Sequence, residues 1–218
     1  YEILIGLVGS EMCIRDRLLT ERIFEVEISN KTSKGYETAT ALEMPATWAE
    51  FHDALEKARI KDARDCHNEL TKIEYPGIQR GMIGDNVNLY ELNLLAQRLA
   101  MLSEDDRMGL DGLLQIEGGR HIGPIPLPRL INLTYNLDNY DFIPDIKDYD
   151  DLGRYYFFEG GYNIDNKFGS FVDYIDFERY GEDCAINEGG TLTDAGYIRP
   201  TGDSWNRYFD GSLEDIPD

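Results

Sequence analysis

The sequence predicts an α+β protein built as three small units: an α+β unit over residues 18–86, a helical unit over 87–137 and an acidic α+β unit over 138–218. Three observations lead there. IFEVEISN (23–30) sets Ile23, Phe24, Val26 and Ile28 against Glu25 and Glu27, the period-two pattern of a strand with one face in water. Residues 88–117 carry leucines at helical spacing behind Asn and Ser caps. The last third interleaves acids with Tyr and Phe at a density that disordered acidic tails lack.

Taken in order, KTSKG (31–35) is a turn and YETATALEMP (36–45) the return strand, closed by Pro45. Thr47 caps a helix and Glu50, three residues on, completes a capping box, with Trp48, Phe51, Leu55, Ala58 and Ile60 as the apolar stripe. A third strand is expected around Leu70–Tyr75, and GMIGDNVN links it to the helical unit. Asn88 caps a helix over 89–102 bearing Leu89, Leu92, Leu95, Leu99 and Leu102. Ser103, with Asp106 at N3, caps the next helix over 104–117, and Glu104 and Asp105 favour its positive end. A Gly- and Pro-rich loop follows, then a helix with Pro128 in its first turn. In the last unit, Asp148 or Asp150 caps a helix through Phe158, ended by Gly160-Gly161. Ser170, with Asp173 at N3, caps a helix over 170–183, and residues 189–200 read as a hairpin.

Residues 1–17 stand apart. MCIRDR (12–17) is what ATG TGT ATA AGA GAC AGR encodes, which looks like a sequencing-library adapter, and LVGSE (7–11) fits the bases before it. This segment is expected to be non-native and is excluded from the fold, with the natural termini lying elsewhere.

Charge excludes several function classes. The chain carries 21 basic and 42 acidic residues, net −21, and residues 135–218 alone hold 20 acids against 6 bases. Nucleic-acid binding needs Lys and Arg against phosphates, and anionic membrane surfaces need the same. A basic partner, or solubility alone, fits this balance. No apolar run is long enough to cross a bilayer. Outside the first segment Cys66 and Cys184 stand alone, without CxxC or histidine at ligand spacing, as reduced thiols in a cytosol do.

The residues offer little to catalysis. His52, His67 and His121 form no HExxH and no recognisable triad, and GxSxG, P-loop and GxGxxG are absent. No metal loop has the DxDxDG spacing, so no metal, cofactor or catalytic residue is expected. A paired-acid hydrolase is one alternative, with Asp150 and Glu159 or Asp173 and Glu182 as the pair. An acidic interaction module of a mobile element, aimed at some other basic target, is a second.

Three stretches, LYELNLLAQRLAMLSEDDRMGLDGLL (89–114), YDDLGRYYFFEGG (149–161) and FVDYIDFERYGEDCAINEGGTLTDAGYI (171–198), together resemble the ArdA-type antirestriction proteins of plasmids, conjugative transposons and phages. Glu182-Asp183 stands where that family has Arg-Asp, and residues 66–84 match poorly. The resemblance implies an elongated, non-enzymatic homodimer in the bacterial cytoplasm. Its carboxylates would imitate DNA phosphates and occupy the DNA-binding cleft of type I restriction–modification enzymes, on their methyltransferase core. The carboxylates so implied are Asp148, Asp150, Asp151, Glu159, Asp173, Asp176, Glu178, Glu182, Asp183 and Glu188, extended by Glu104, Asp105, Asp106 and Asp111. The dimer contact falls in the last unit, with Phe171, Tyr174 and Phe177 as candidates.

Overall fold

A computed structural model of the chain describes residues 21–31, 38–61, 65–159 and 172–211. The adapter-like segment, Gly160-Gly161, Ser170 and Phe171 lie outside the described residues. Within them the protein is α+β, with six α-helices and two antiparallel three-stranded sheets.

The first sheet holds β1 (Phe24–Asn30), β2 (Thr40–Met44) and β3 (Cys66–Ile73) in the order β2-β1-β3. Phe24, Val26 and Ile28 are buried on one face of β1, as its alternation requires. β3 begins earlier than the apolar pattern predicts. Cys66 and Asn68 face inward, and the Asn68 carboxamide exchanges two hydrogen bonds with the Val87 backbone, at 3.0 Å each. A buried Asn that copies a strand partner leaves no apolar period to read. Asn93 does the same for Ala46, at 2.7 and 3.0 Å.

Helix α1 (Trp48–Lys57) starts at Thr47 with both halves of the capping box formed. Its stripe is shorter than the sequence suggests. Phe51 and Ala54 are buried, Trp48 is 64% exposed, and Ile60 is buried beyond the helix end. Helix α2 (Leu89–Met101) is capped by Asn88 and buries Leu89, Leu92, Leu95 and Leu99. Helix α3 runs from Glu104 to Arg120, a turn past its expected end, and α4 spans Leu127–Tyr135. One cluster of buried side chains extends from Ile23 through Leu133 and includes Ile198 and Phe209. The segment before Gly211 is tied to α4 by asparagines: the Asn132 carbonyl accepts from the Tyr208 and Phe209 amides, and Asn136 bonds the Asn206 backbone in both directions.

The second sheet has the order β4-β6-β5, from β4 (Tyr140–Pro144), β5 (Thr191–Thr193) and β6 (Gly196–Pro200). The hairpin of β5 and β6 follows the sequence reading, whereas β4 has no alternation to announce it. Helices α5 (Tyr149–Glu159) and α6 (Phe177–Glu188) pack on this sheet around Ile146, Leu152, Ala185 and Tyr197. The expected helix over 170–183 is corrected. Residues 172–174 form one 3-10 turn, and α6 starts at Asp176, whose carboxylate accepts from the Arg179 amide at 3.1 Å. Asp176 displaces the expected cap because the helix it starts places Phe177, Gly181 and Ala185 on one buried face. Gly189, at φ 67°, ends it in the left-handed conformation that favours glycine.

One buried ion pair gives a measurable prediction. Glu117 is 4% exposed, and the Arg129 guanidinium grips its carboxylate with two bonds of 3.0 and 2.8 Å while lying over the Trp205 ring. The Arg129 bonds hold the Glu117 carboxyl below the usual carboxylate range. A depressed pKa contributes stability above the unfolded-state value of about 4.3 and loses it as pH falls through the folded-state value. Glu117→Gln is therefore expected to cost about 1.5–2 kcal/mol at pH 7, since the guanidinium it leaves behind is one-third exposed. In parallel thermal melts, the gap between variant and parent should narrow below pH 4. A gap that stays constant across that range would contradict the ionised pair.

Candidate acidic interface

The expected carboxylates fall into three environments. The first is the start of α3, where Glu104, Asp105 and Asp106 are all exposed in the first turn. Their charges stabilise the positive helix end, and Asp106 also accepts from the Ser103 hydroxyl at 2.7 Å. Asp111, two turns on, is different. It is half-buried, one carboxylate oxygen is buried without a hydrogen-bond partner, and that oxygen lies against Gly77. Burial pushes its carboxyl above the usual range. Asp111 thus points into the protein rather than toward a partner.

The second environment is the start of α5. Exposed Asp148 accepts from the Asp151 amide at 2.9 Å and so caps the helix, while Asp151 accepts from the Lys147 amide at 3.1 Å. Asp150 pairs with Arg154 at 2.6 Å, one turn along. The Arg154 guanidinium in turn lies 4.4 Å from the Phe177 ring centroid. Glu159 ends the helix.

The third is the segment from 173 through α6. Asp173, Asp176, Glu178, Glu182 and Asp183 are all exposed. Glu178 and Glu182 are one turn apart, roughly 6 Å along the axis at 1.5 Å per residue. Glu188 closes the helix half-buried, bonded to two tyrosines and an arginine.

Helices α5 and α6 bear these last two groups, and they touch backbone to backbone. A Cβ on Gly153 would overlap the Phe177 carbonyl oxygen, and one on Gly181 would overlap that of Tyr149. Only glycines let the axes come this close. The backbone positions that carry the acids of the two helices are therefore fixed relative to one another by main-chain contact.

The candidate dimer residues separate. Tyr174 is 87% exposed. Phe177 is corrected: at 3% exposure it fills the protein's own interior, edge-on to Phe157 with ring centroids 5.3 Å apart. It is the anchor of α6, because the first helical residue faces α5.

The sequence reading passed over a fourth group of acids. On the outer face of the first sheet, Glu25 stands opposite Glu43 on one side and Lys72 on the other, Glu27 stands opposite Glu69, and Arg22 pairs with Glu43 at 3.6 Å. Opposed Cβ atoms lie about 5 Å apart in antiparallel pairs, and like charges there are destabilising. FEVEISN and TALEM show the alternating glutamates, but only the register reveals that they meet. The paired-acid hydrolase reading finds no support in these positions, since Asp150 is paired with Arg154 and Asp173 and Glu182 are both open to solvent. Among the described residues no helix is long and apolar enough to cross a membrane.

Fold and surface together define an acidic α+β protein, many of whose exposed carboxylates stand at helix starts, along α6 and on one sheet face. The family described as antirestriction protein (ArdA) matches residues 30–199. The chain belongs to the ArdA antirestriction family. No curated protein matches the sequence.

Proposed function

We propose that the protein is a non-enzymatic DNA mimic. It occupies the DNA-binding cleft of a type I restriction–modification enzyme, as a cytoplasmic homodimer encoded on a mobile element. The observation that carries this reading is that exposed acids stand on elements fixed by main-chain contact. Glu178, Glu182 and Asp183 belong to a helix locked against α5 through Gly153 and Gly181, Asp176 caps it, and Asp173 stands in the 3-10 turn just before it.

Duplex DNA carries one negative charge per ~1.7 Å of axis, and a cleft that receives it is lined with Lys and Arg. A protein that offers carboxylates already in place enters such a cleft with little ordering cost, and its field steers the encounter. The units over 18–86, 87–137 and 138–218 extend the array in sequence. The start of α3 supplies Glu104, Asp105 and Asp106, and the start of α5 supplies Asp148 and Asp151, while Asp150 is held by Arg154. Glu159 stands at the far end of α5. Glu25, Glu27, Glu43 and Glu69 add the sheet face. Asp111 is left out of this surface by its inward placement. Among the candidate dimer residues, exposed Tyr174 is the one this reading assigns to contact with a second copy.

The direct experiment mixes purified protein with a type I restriction enzyme, its cofactors and an unmodified plasmid bearing its sites. Cutting should stop at a small molar excess of the protein, and raising the salt should relieve the block. Undiminished cutting at a hundredfold excess, across several type I systems, would refute the reading.

A further inference from the structure

Glu188 is the one carboxylate of α6 that the partner-facing reading does not suit. Its Oε2 accepts from the Tyr156 hydroxyl at 2.6 Å and from the Tyr197 hydroxyl at 3.2 Å. Its Oε1 accepts from Arg199 Nη1 at 3.2 Å. The same Nη1 donates to the Tyr156 hydroxyl at 2.6 Å. Arg199 is held from its other side by Asp141, to whose Oδ2 the Nε and Nη2 atoms each lie at 3.0 Å.

Four elements meet here: α5 through Tyr156, α6 through Glu188, β6 through Tyr197 and Arg199, and β4 through Asp141. Burial, and then the Glu188 carboxylate, pushes both phenols above the ordinary tyrosine range, so they remain donors. The Tyr197 side chain is fully buried. Its hydroxyl reaches Glu188 only because residue 190 is glycine, since a Cβ there would overlap that oxygen. The glycine crossing fixes α5 against α6, but it does not fix the pair against the sheet. The Glu188 network is placed to do that.

We propose that Glu188 is a positioning residue. It does not meet the partner. Through Tyr156, Tyr197 and Arg199 it pins the last turn of α6 to the sheet, and so sets where Glu178, Glu182 and Asp183 stand. This rests on the DNA-mimic reading for its consequence, though not for its geometry.

The test compares Glu188→Ala, Glu188→Gln, Gly190→Ala and Tyr197→Phe in the full chain. Binding to a type I methyltransferase core is measured at several salt concentrations, and amide hydrogen exchange is measured on the free protein. Glu188→Ala and Gly190→Ala should weaken binding about tenfold, because a contact surface displaced by about 1 Å loses much of its value. Glu188→Gln keeps an acceptor for the phenols and should restore most of the loss. Tyr197→Phe keeps the ring in the core, so it folds if Glu188→Ala does not, and it should show an intermediate loss. Across all four, the slope of log affinity against log salt should stay at the parent's value, since no partner-facing charge is removed. Exchange of the α6 amides should rise in the Ala variants and not in Glu188→Gln.

Two binding outcomes overturn the proposal. One is a shallower salt slope with equal weakening in Glu188→Gln and Glu188→Ala, which would make Glu188 a direct contact. The other is parent-like binding by folded variants, which would make the network a matter of stability alone. If the parent itself fails to bind, the DNA-mimic reading falls, and exchange decides the positioning separately: unchanged α6 protection in Glu188→Ala overturns it, and lost protection upholds it.

Discussion

Gly181→Ala is expected to destabilise the protein by about 3 kcal/mol or more, at the upper end of what overpacking costs. The Cβ would overlap the Tyr149 carbonyl oxygen and lie 2.7 Å from the Gly153 amide nitrogen. Both are main-chain atoms at the crossing of the first two turns of each helix, so no side-chain rotation can relieve the clash. One helix must shift away, and Phe177 and Ala185, buried on the same face, would lose their packing with it. Gly153→Ala should behave alike, since it meets the Phe177 carbonyl oxygen from the other side. Gly119→Ala is the control. It lies in α3 with nothing within 4 Å of the added carbon, and alanine there should stabilise by about 0.5–1 kcal/mol. Urea unfolding followed by circular dichroism measures all three. Equal midpoints for Gly181→Ala and the parent would mean that the helices do not touch as described.

That crossing also shows how far the sequence was legible. Local signals were reliable where one residue type does one job. Thr47 with Glu50, and Ser103 with Asp106, formed both halves of their capping boxes, and the α2 leucines went inside. The signal failed where a residue's role depends on a partner far along the chain. Gly153 and Gly181 give no signal in the sequence, because the reason for each lies in the other helix. Asn68, Asn93 and Asn132 carry no periodic signal either, since they act as carboxamide substitutes for missing backbone partners. Ser170 and Asp176 are both good caps by residue type, and the sequence does not say which face of the segment is buried.

The acids show the same division. Composition announced that negative charge matters, and it could not say which carboxylates are free to meet a partner. Asp111 turns inward, and Asp150 and Glu188 are engaged by arginines. Glu25, Glu27, Glu43 and Glu69 came together only through the strand register.

The largest functional effect is expected from neutralising Glu178, Glu182 and Asp183 together, as Glu178→Gln, Glu182→Gln and Asp183→Asn. All three are exposed, and none caps a helix. Glu178 stands in the first turn of α6, so the triple variant should fold within about 1 kcal/mol of the parent. Its binding to the type I enzyme should still fall by about 10–100-fold, from roughly 0.5–1 kcal/mol per exposed ion pair. Exposed charges act mainly through steering, so most of the loss should appear in the association rate, with dissociation less affected. The salt dependence of binding should also become shallower, because fewer ionic contacts remain to be screened. This signature separates contact from positioning: Glu188→Ala loses affinity at constant salt slope, and the triple variant loses both. Stopped-flow association at 50 and 200 mM salt measures it. A triple variant that associates as fast as the parent at low salt would remove α6 from the interface, whatever the rest of the acidic surface does.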